Sequence, residues 1–150
     1  MDLFPLQTAK TLDEFSHVIQ LAVAPVFLLT AVGTLLMVLT NRLGRAVDRR
    51  RSLEARLMPD TIAEDRERIA AEMGMITRRV TWIYRAIVSA VLCALFICFL
   101  IALAFVDAFV AGNFARGLAV LFVLAMVALI GALLMFLREI FLAVSYTSGR

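Results

Sequence analysis

Three stretches of this chain, His17–Thr40, Ala86–Val106 and Leu118–Leu137, contain no Asp, Glu, Lys or Arg. At about 1.5 Å per helical residue, each is long enough to cross a hydrocarbon layer of about 30 Å. Backbone inside hydrocarbon must satisfy its own hydrogen bonds, and an uninterrupted apolar run of about twenty residues does so as a helix. The rest of the composition agrees, because 63% of the 150 residues are hydrophobic and the mean hydropathy is +0.94, beyond what a soluble domain of this size buries. The sequence therefore predicts an all-α integral membrane protein of one domain with three transmembrane helices.

The charge is concentrated between the first two spans. Segment 41–85 holds eleven basic residues and the tail 138–150 two, against one each in 1–16 and 107–117. Three crossings put the middle segment and the tail on one side, and an excess of arginine marks the cytoplasmic side. We expect the N-terminal segment 1–16 and the 107–117 loop outside, and the arginine-rich segment and the tail in the cytoplasm, in a multi-pass membrane protein. Segment 1–16 carries Asp2, Asp13 and Glu14 against Lys10, unlike the basic start of a cleaved leader, so the first span is expected to be retained.

Segment 41–85 reads as a helical hairpin rather than a loop. Asn41–Leu57 has no proline and good helix formers, Met58-Pro59-Asp60 breaks it, and Thr61 with Glu64 forms a capping box for a second helix. From there Ile62, Arg66, Ile69, Met73, Ile76, Val80, Ile83 and Ile87 alternate steps of four and three, as in a coiled-coil seam. The same steps continue through Ala90, Ala94, Ile97, Ile101, Ala104 and Ala108, with large and small residues alternating in pairs. The seam is satisfied either by the neighbouring helix of the same chain or by another copy. Trp82 and Tyr84, beside Arg78, Arg79 and Arg85, form the aromatic and basic belt expected where this helix meets the bilayer surface.

On the first helix, Gln20, Phe27, Thr30, Thr34, Asn41 and Asp48 fall on one face at 100° per residue. Pro25 interrupts the hydrogen-bond ladder in its outer half. Three readings of this face stay open. The threonines bond back to their own helix while Asp48 pairs with nearby arginines; or the face lines a water-filled path between copies, with Phe27 as an apolar constriction; or it meets another protein.

Arg42, Arg45, Arg49, Arg50 and Arg51 lie just past the first span, where they suit anionic lipid headgroups. Nucleic acid is not expected, because Asp48, Glu54, Glu64, Asp65, Glu67 and Glu72 interrupt the charge and no stacking aromatics are interleaved. His17, the single histidine, reads as an interfacial polar residue. Cys93 and Cys98 read as small apolar packers, since their spacing is neither that of a redox pair nor that of two ligands on one helix face. The third span, with Ala125, Ala128, Gly131 and Ala132 as its small residues, reads as the lipid-facing or structural helix.

Chemistry is missing from the pattern. There is no glycine-rich phosphate loop, no HExxH, no nucleophile with a positioned histidine, no metal-ligand cluster and no acid within the spans. Neither an enzyme nor a cofactor is expected.

The stretches "AVAPVFLLTAVGTLLMVLTNRLGRAVDRRRSLE", "RRVTWIYRAIVSAVLCALFICFLIALAFV" and "LAVLFVLAMVALIGALLMFLREIFLA" resemble a bacterial domain-of-unknown-function family, DUF 2721. The more specific pieces are Ala24-Pro25, Asn41-Arg42-Leu43, Val47-Asp48-Arg49 and Leu137-Arg138-Glu139. The resemblance implies a small three-helix inner-membrane protein and brings no activity with it.

Two functions are therefore carried forward. One is a homo-oligomeric channel or conduit lined by the first helix. The other is a membrane scaffold or accessory subunit that binds lipid or a larger membrane complex through its arginine-rich hairpin.

Overall fold

A computed structural model describes residues 4–56, 63–110 and 114–145, with side-chain surroundings for 20, 23–56, 63–107 and 114–142. The proposed hairpin tip at Pro59, the capping residue Thr61, the seam residue Ile62 and the side chains of His17 and Ala108 lie outside the described residues.

Three helices make up the described chain: α1 (Phe4–Glu54), α2 (Ala63–Val110) and α3 (Ala115–Ser145). All three are long and apolar enough to cross a membrane, and the chain is a multi-pass membrane protein. With 51 and 48 residues, α1 and α2 each hold more than twice the roughly twenty residues that a hydrocarbon layer requires. The helical stretch Phe4–Ser16 precedes the first span without a break, and Pro25 is accommodated inside α1. At its far end α1 tightens, with the Arg56 amide donating to the Leu53 carbonyl three residues back.

Each helix buries a row spaced by sevens, the repeat that keeps one face on a helical neighbour. On α1 the row is Val32, Leu39 and Leu53, with half-buried Ala46 between the last two; on α2 it is Ile76, Ile83, Ala90 and Ile97; on α3 it is Ala125, Ala132 and Glu139. The polar row of α1 lies about 140° from its buried row, five residues away at 100° each.

The chain divides into two compact units. In the first, Met1–Thr34 with Leu92–Ala128, the buried side chains are Val32, Cys93, Ile97 and Ala125. Here the amide of Phe114 donates to Asp107 Oδ1 at 3.3 Å, tying the start of α3 to α2. In the second, Leu35–Val91 with Leu129–Arg150, the core consists of Leu39, Leu53, Ile76, Ile83, Ala86, Ala90, Ala132 and Glu139. Gly131 permits the close approach of α3 to α2 in this unit, because a Cβ there would stand 3.2 Å from Ser89 Oγ.

The surface left outside is greasy. Val123, Val127, Leu134 and Phe141 of α3 and Leu95 and Phe99 of α2 are all exposed, which is tolerable only if the surrounding solvent is lipid.

Candidate functional site

A carboxylate at the end of a row of alanines is the least expected feature of the molecule. Glu139 occupies the position one heptad beyond Ala132 and, like it, has no exposed surface. It is the one acid of α3. A bare buried carboxylate costs many kcal/mol, so it must be paired.

Both of the other helices supply the pairing. Arg42 of α1 brings Nη2 to 2.9 Å from Glu139 Oε2, and Arg79 of α2 donates from Nη2 to Oε1 at 2.9 Å. The side chains of Arg42 and Arg79 keep 24% and 34% of their surface, so the triad is closed at its carboxylate and open at its guanidinium end. The pairing is incomplete in geometry. Oε2 accepts no hydrogen bond although Arg42 is within ion-pair distance, and Nε of Arg79 is buried without an acceptor.

Aromatic faces support the cations around the triad. The Arg42 guanidinium lies 5.3 Å from the centroid of Phe136. Trp82 receives two arginines, Arg138 at 4.2 Å and Arg85 at 5.3 Å. Such contacts contribute about 0.5–1 kcal/mol each where exposed. Farther along α1 and α2, Arg49 donates from Nε and Nη2 to Glu72 Oε1 at 3.2 and 2.7 Å, and Arg50 pairs with Glu54 within α1 at 2.9 Å.

Two concavities sit here. A cavity of about 180 Å³ is lined by Arg42, Arg45, Ala46, Arg49, Ile76, Arg79 and Glu139. A larger groove of about 880 Å³ between α1 and α2 includes Arg49, Leu53, Arg56, Arg68, Glu72 and Met75 in its walls.

The residues singled out from the sequence are distributed as follows. Gln20, Phe27, Thr30, Thr34, Asn41 and Asp48 are all exposed, Phe27 at 72%. Thr30 and Thr34 donate their hydroxyl protons to the carbonyls of Val26 and Thr30, each at 3.1 Å. Of the α2 seam, Ile83, Ala90 and Ile97 are buried while Ile87, Ala94 and Ile101 are half-buried. The alternate buried positions fall one residue earlier, at Ala86 and Cys93. Continued backwards, that row passes through Arg79, which places its guanidinium on the same side as the core.

Among the five arginines of α1, Arg42 turns inward to Glu139, Arg49 and Arg50 are in ion pairs, and Arg45 and Arg51 are exposed. Reasoning from sequence missed Glu139 and Arg79 as a pair. The available signal was an acid on a helix that has no other, in heptad register with Ala125 and Ala132.

Nothing matches the chain among curated proteins or among solved structures. A family model described as a protein of unknown function, DUF2721, matches residues 22–148. That range takes in α2 and α3 whole, α1 from residue 22 onwards and every member of the triad, and the chain belongs to the DUF2721 family.

Proposed function

We propose that this protein works as a homo-oligomer in a bacterial inner membrane, N-terminus outside and arginine-rich segment cytoplasmic, with the polar face of α1 lining a small conduit between copies. The observation that carries this reading is the exposure of the whole row from Gln20 to Asp48. Among the described residues no other helix covers it, and a second copy of α1 offers the same polar groups in return.

The chemistry of the row narrows what would pass. Thr30 and Thr34 spend their protons on their own helix, so their oxygens turn only lone pairs outward, and Asp48 adds a carboxylate near the cytoplasmic mouth. Acceptors and a negative charge favour water or a small cation. Phe27 narrows the outer half as an apolar constriction.

The test is thiol accessibility in a Cys93→Ala, Cys98→Ala background. Thr34→Cys is expected to react with a water-soluble thiol reagent in native membranes, and Val127→Cys, on the apolar face of α3, is not. Equal protection of both positions removes the conduit, and a monomeric mass with native lipid retained removes the oligomer.

A second reading, a scaffold or accessory subunit for a larger membrane complex, is favoured by the groove between α1 and α2, whose volume suits a helical segment of a partner. It predicts a stoichiometric partner that is released by charge reversal at Arg49, Arg50 and Arg51.

A further inference from the structure

The cavity beside the triad carries a surplus of positive charge that no acid among the described residues balances. Its wall sets Arg42, Arg45, Arg49 and Arg79 against one carboxylate, Glu139. Glu139 is already shared between Arg42 and Arg79. Glu72, which holds Arg49, is not part of the wall. Arg45 has no ion pair among the described residues, and the buried Nε of Arg79 lacks an acceptor. A buried donor left without an acceptor keeps its full desolvation penalty, so an incoming oxygen would relieve a cost already present.

Size and depth narrow the class of ligand. About 180 Å³ is below the range of roughly 300–1,000 Å³ that drug-sized molecules occupy, yet it exceeds several waters at about 30 Å³ each. Small, anionic and rich in oxygen describes a phosphate group, which the planar guanidinium fork binds in bidentate fashion. Trp82, held between Arg85 and Arg138 three residues along α2 from Arg79, marks the level of the membrane surface. Phosphates of lipid headgroups lie at that level.

We propose that Arg45, Arg49 and Arg79 bind a phosphate group in this cavity, with Arg42 and Glu139 as its inner wall. The phosphate arrives either on an anionic phospholipid or on a soluble compound, since both present the same oxygens and charge. The site rests on the arginines standing at the membrane surface, as the scaffold reading does, but requires neither a protein partner nor a conduit.

The experiment uses the full chain in phosphatidylcholine nanodiscs with and without phosphatidylglycerol. Retained lipid is counted by native mass spectrometry, and inorganic phosphate is titrated separately against Trp82 fluorescence. A bound phosphatidylglycerol that Arg45→Gln weakens about fivefold, the effect of removing one surface cation, while Arg51→Gln weakens it less than about twofold, identifies a lipid-borne phosphate. Arg79→Lys, which keeps the charge and removes Nε, weakens it as well.

Inorganic phosphate binding with the same dependence on Arg45, and no preference for phosphatidylglycerol, identifies a soluble source. Equal losses at Arg45 and Arg51 mean diffuse surface charge and overturn the site, as does the absence of any Arg45 dependence with either probe. The scaffold reading fails separately, by the lack of a co-purifying partner, and leaves these lipid and phosphate readings unchanged.

Discussion

Arg42 Nη2 stands 2.9 Å from Glu139 Oε2, yet that oxygen accepts no hydrogen bond. The contact joins α1 to α3 as an ion pair, while Arg79 joins α2 to the same carboxylate through an ion pair that is also a directed hydrogen bond. At this level three helices are fixed by one acid, whereas the buried rows elsewhere consist of apolar side chains with few directional demands. A buried ion triad is a poor source of stability relative to a hydrophobic one, and its best-attested use is to fix register.

Removing the carboxylate is expected to leave two guanidiniums facing each other. Glu139→Ala should destabilise the protein by about 3 kcal/mol, the low end for breaking a buried pair because the arginines are partly exposed. Replacing the set together, Glu139→Leu with Arg42→Met and Arg79→Met, should restore most of that stability. Unfolding midpoints in mild detergent measure both, and a triple variant no better than Glu139→Ala would refute the electrostatic account.

The Arg49–Glu72 pair should behave differently although it is shorter, at 2.7 Å. About half of the Arg49 side chain and 40% of the Glu72 side chain are exposed, so Glu72→Gln is expected to cost no more than about 1 kcal/mol. The loss should shrink as salt is added, since the pair is open to solvent ions. A salt-independent loss would mean that Glu72 is held by more than this arginine.

Two glycines should respond with opposite signs. Nothing stands within 4 Å of a Cβ at Gly74, whereas one at Gly131 would meet Ser89 Oγ at 3.2 Å. Gly74→Ala should stabilise α2 by up to about 1 kcal/mol through helix propensity. Gly131→Leu should force α3 from α2 at a cost of about 1–3 kcal/mol, visible as a lowered thermal midpoint.

The two thiols differ in access. Cys93 is buried and Cys98 exposed. A membrane-permeant thiol reagent should therefore add one label to the folded protein, at Cys98, and two after denaturation in SDS. Peptide mass mapping locates the label, and modification of Cys93 in the folded state would contradict the buried row of α2.

Trp82 is the single tryptophan, so its fluorescence reports one place. Arg138 lies closer to its ring than Arg85 does, 4.2 against 5.3 Å. Arg138→Gln should shift the emission more than Arg85→Gln. The reverse order would place the α3 end elsewhere than against Trp82.

The number and kind of elements were legible in the sequence because hydrocarbon imposes a local rule: a run of about twenty residues without charge has to satisfy its backbone as a helix, whatever its neighbours. Periodicity went further. Gln20, Phe27, Thr34, Asn41 and Asp48, spaced by sevens, form a face that stays outside, and Ile83, Ala90 and Ile97 are buried. The alternate positions of the α2 row were not legible, because Ala86 and Ile87 are both acceptable core residues. Which of them faces inward depends on where a neighbour approaches, and Gly131 meeting Ser89 is a property of two helices.

The same holds for the triad. Arg42, Arg79 and Glu139 are far apart in the chain, and each by itself reads as an ordinary charge at a membrane surface. The Glu139 carboxylate is buried where two cations from other helices converge on it. The sequence determined that this chain crosses a membrane as three helices and where its charge is gathered, because those depend on each segment's own solvent. Which charges leave that solvent for one another emerges in the packed molecule, because desolvation and pairing are settled between helices and not along them.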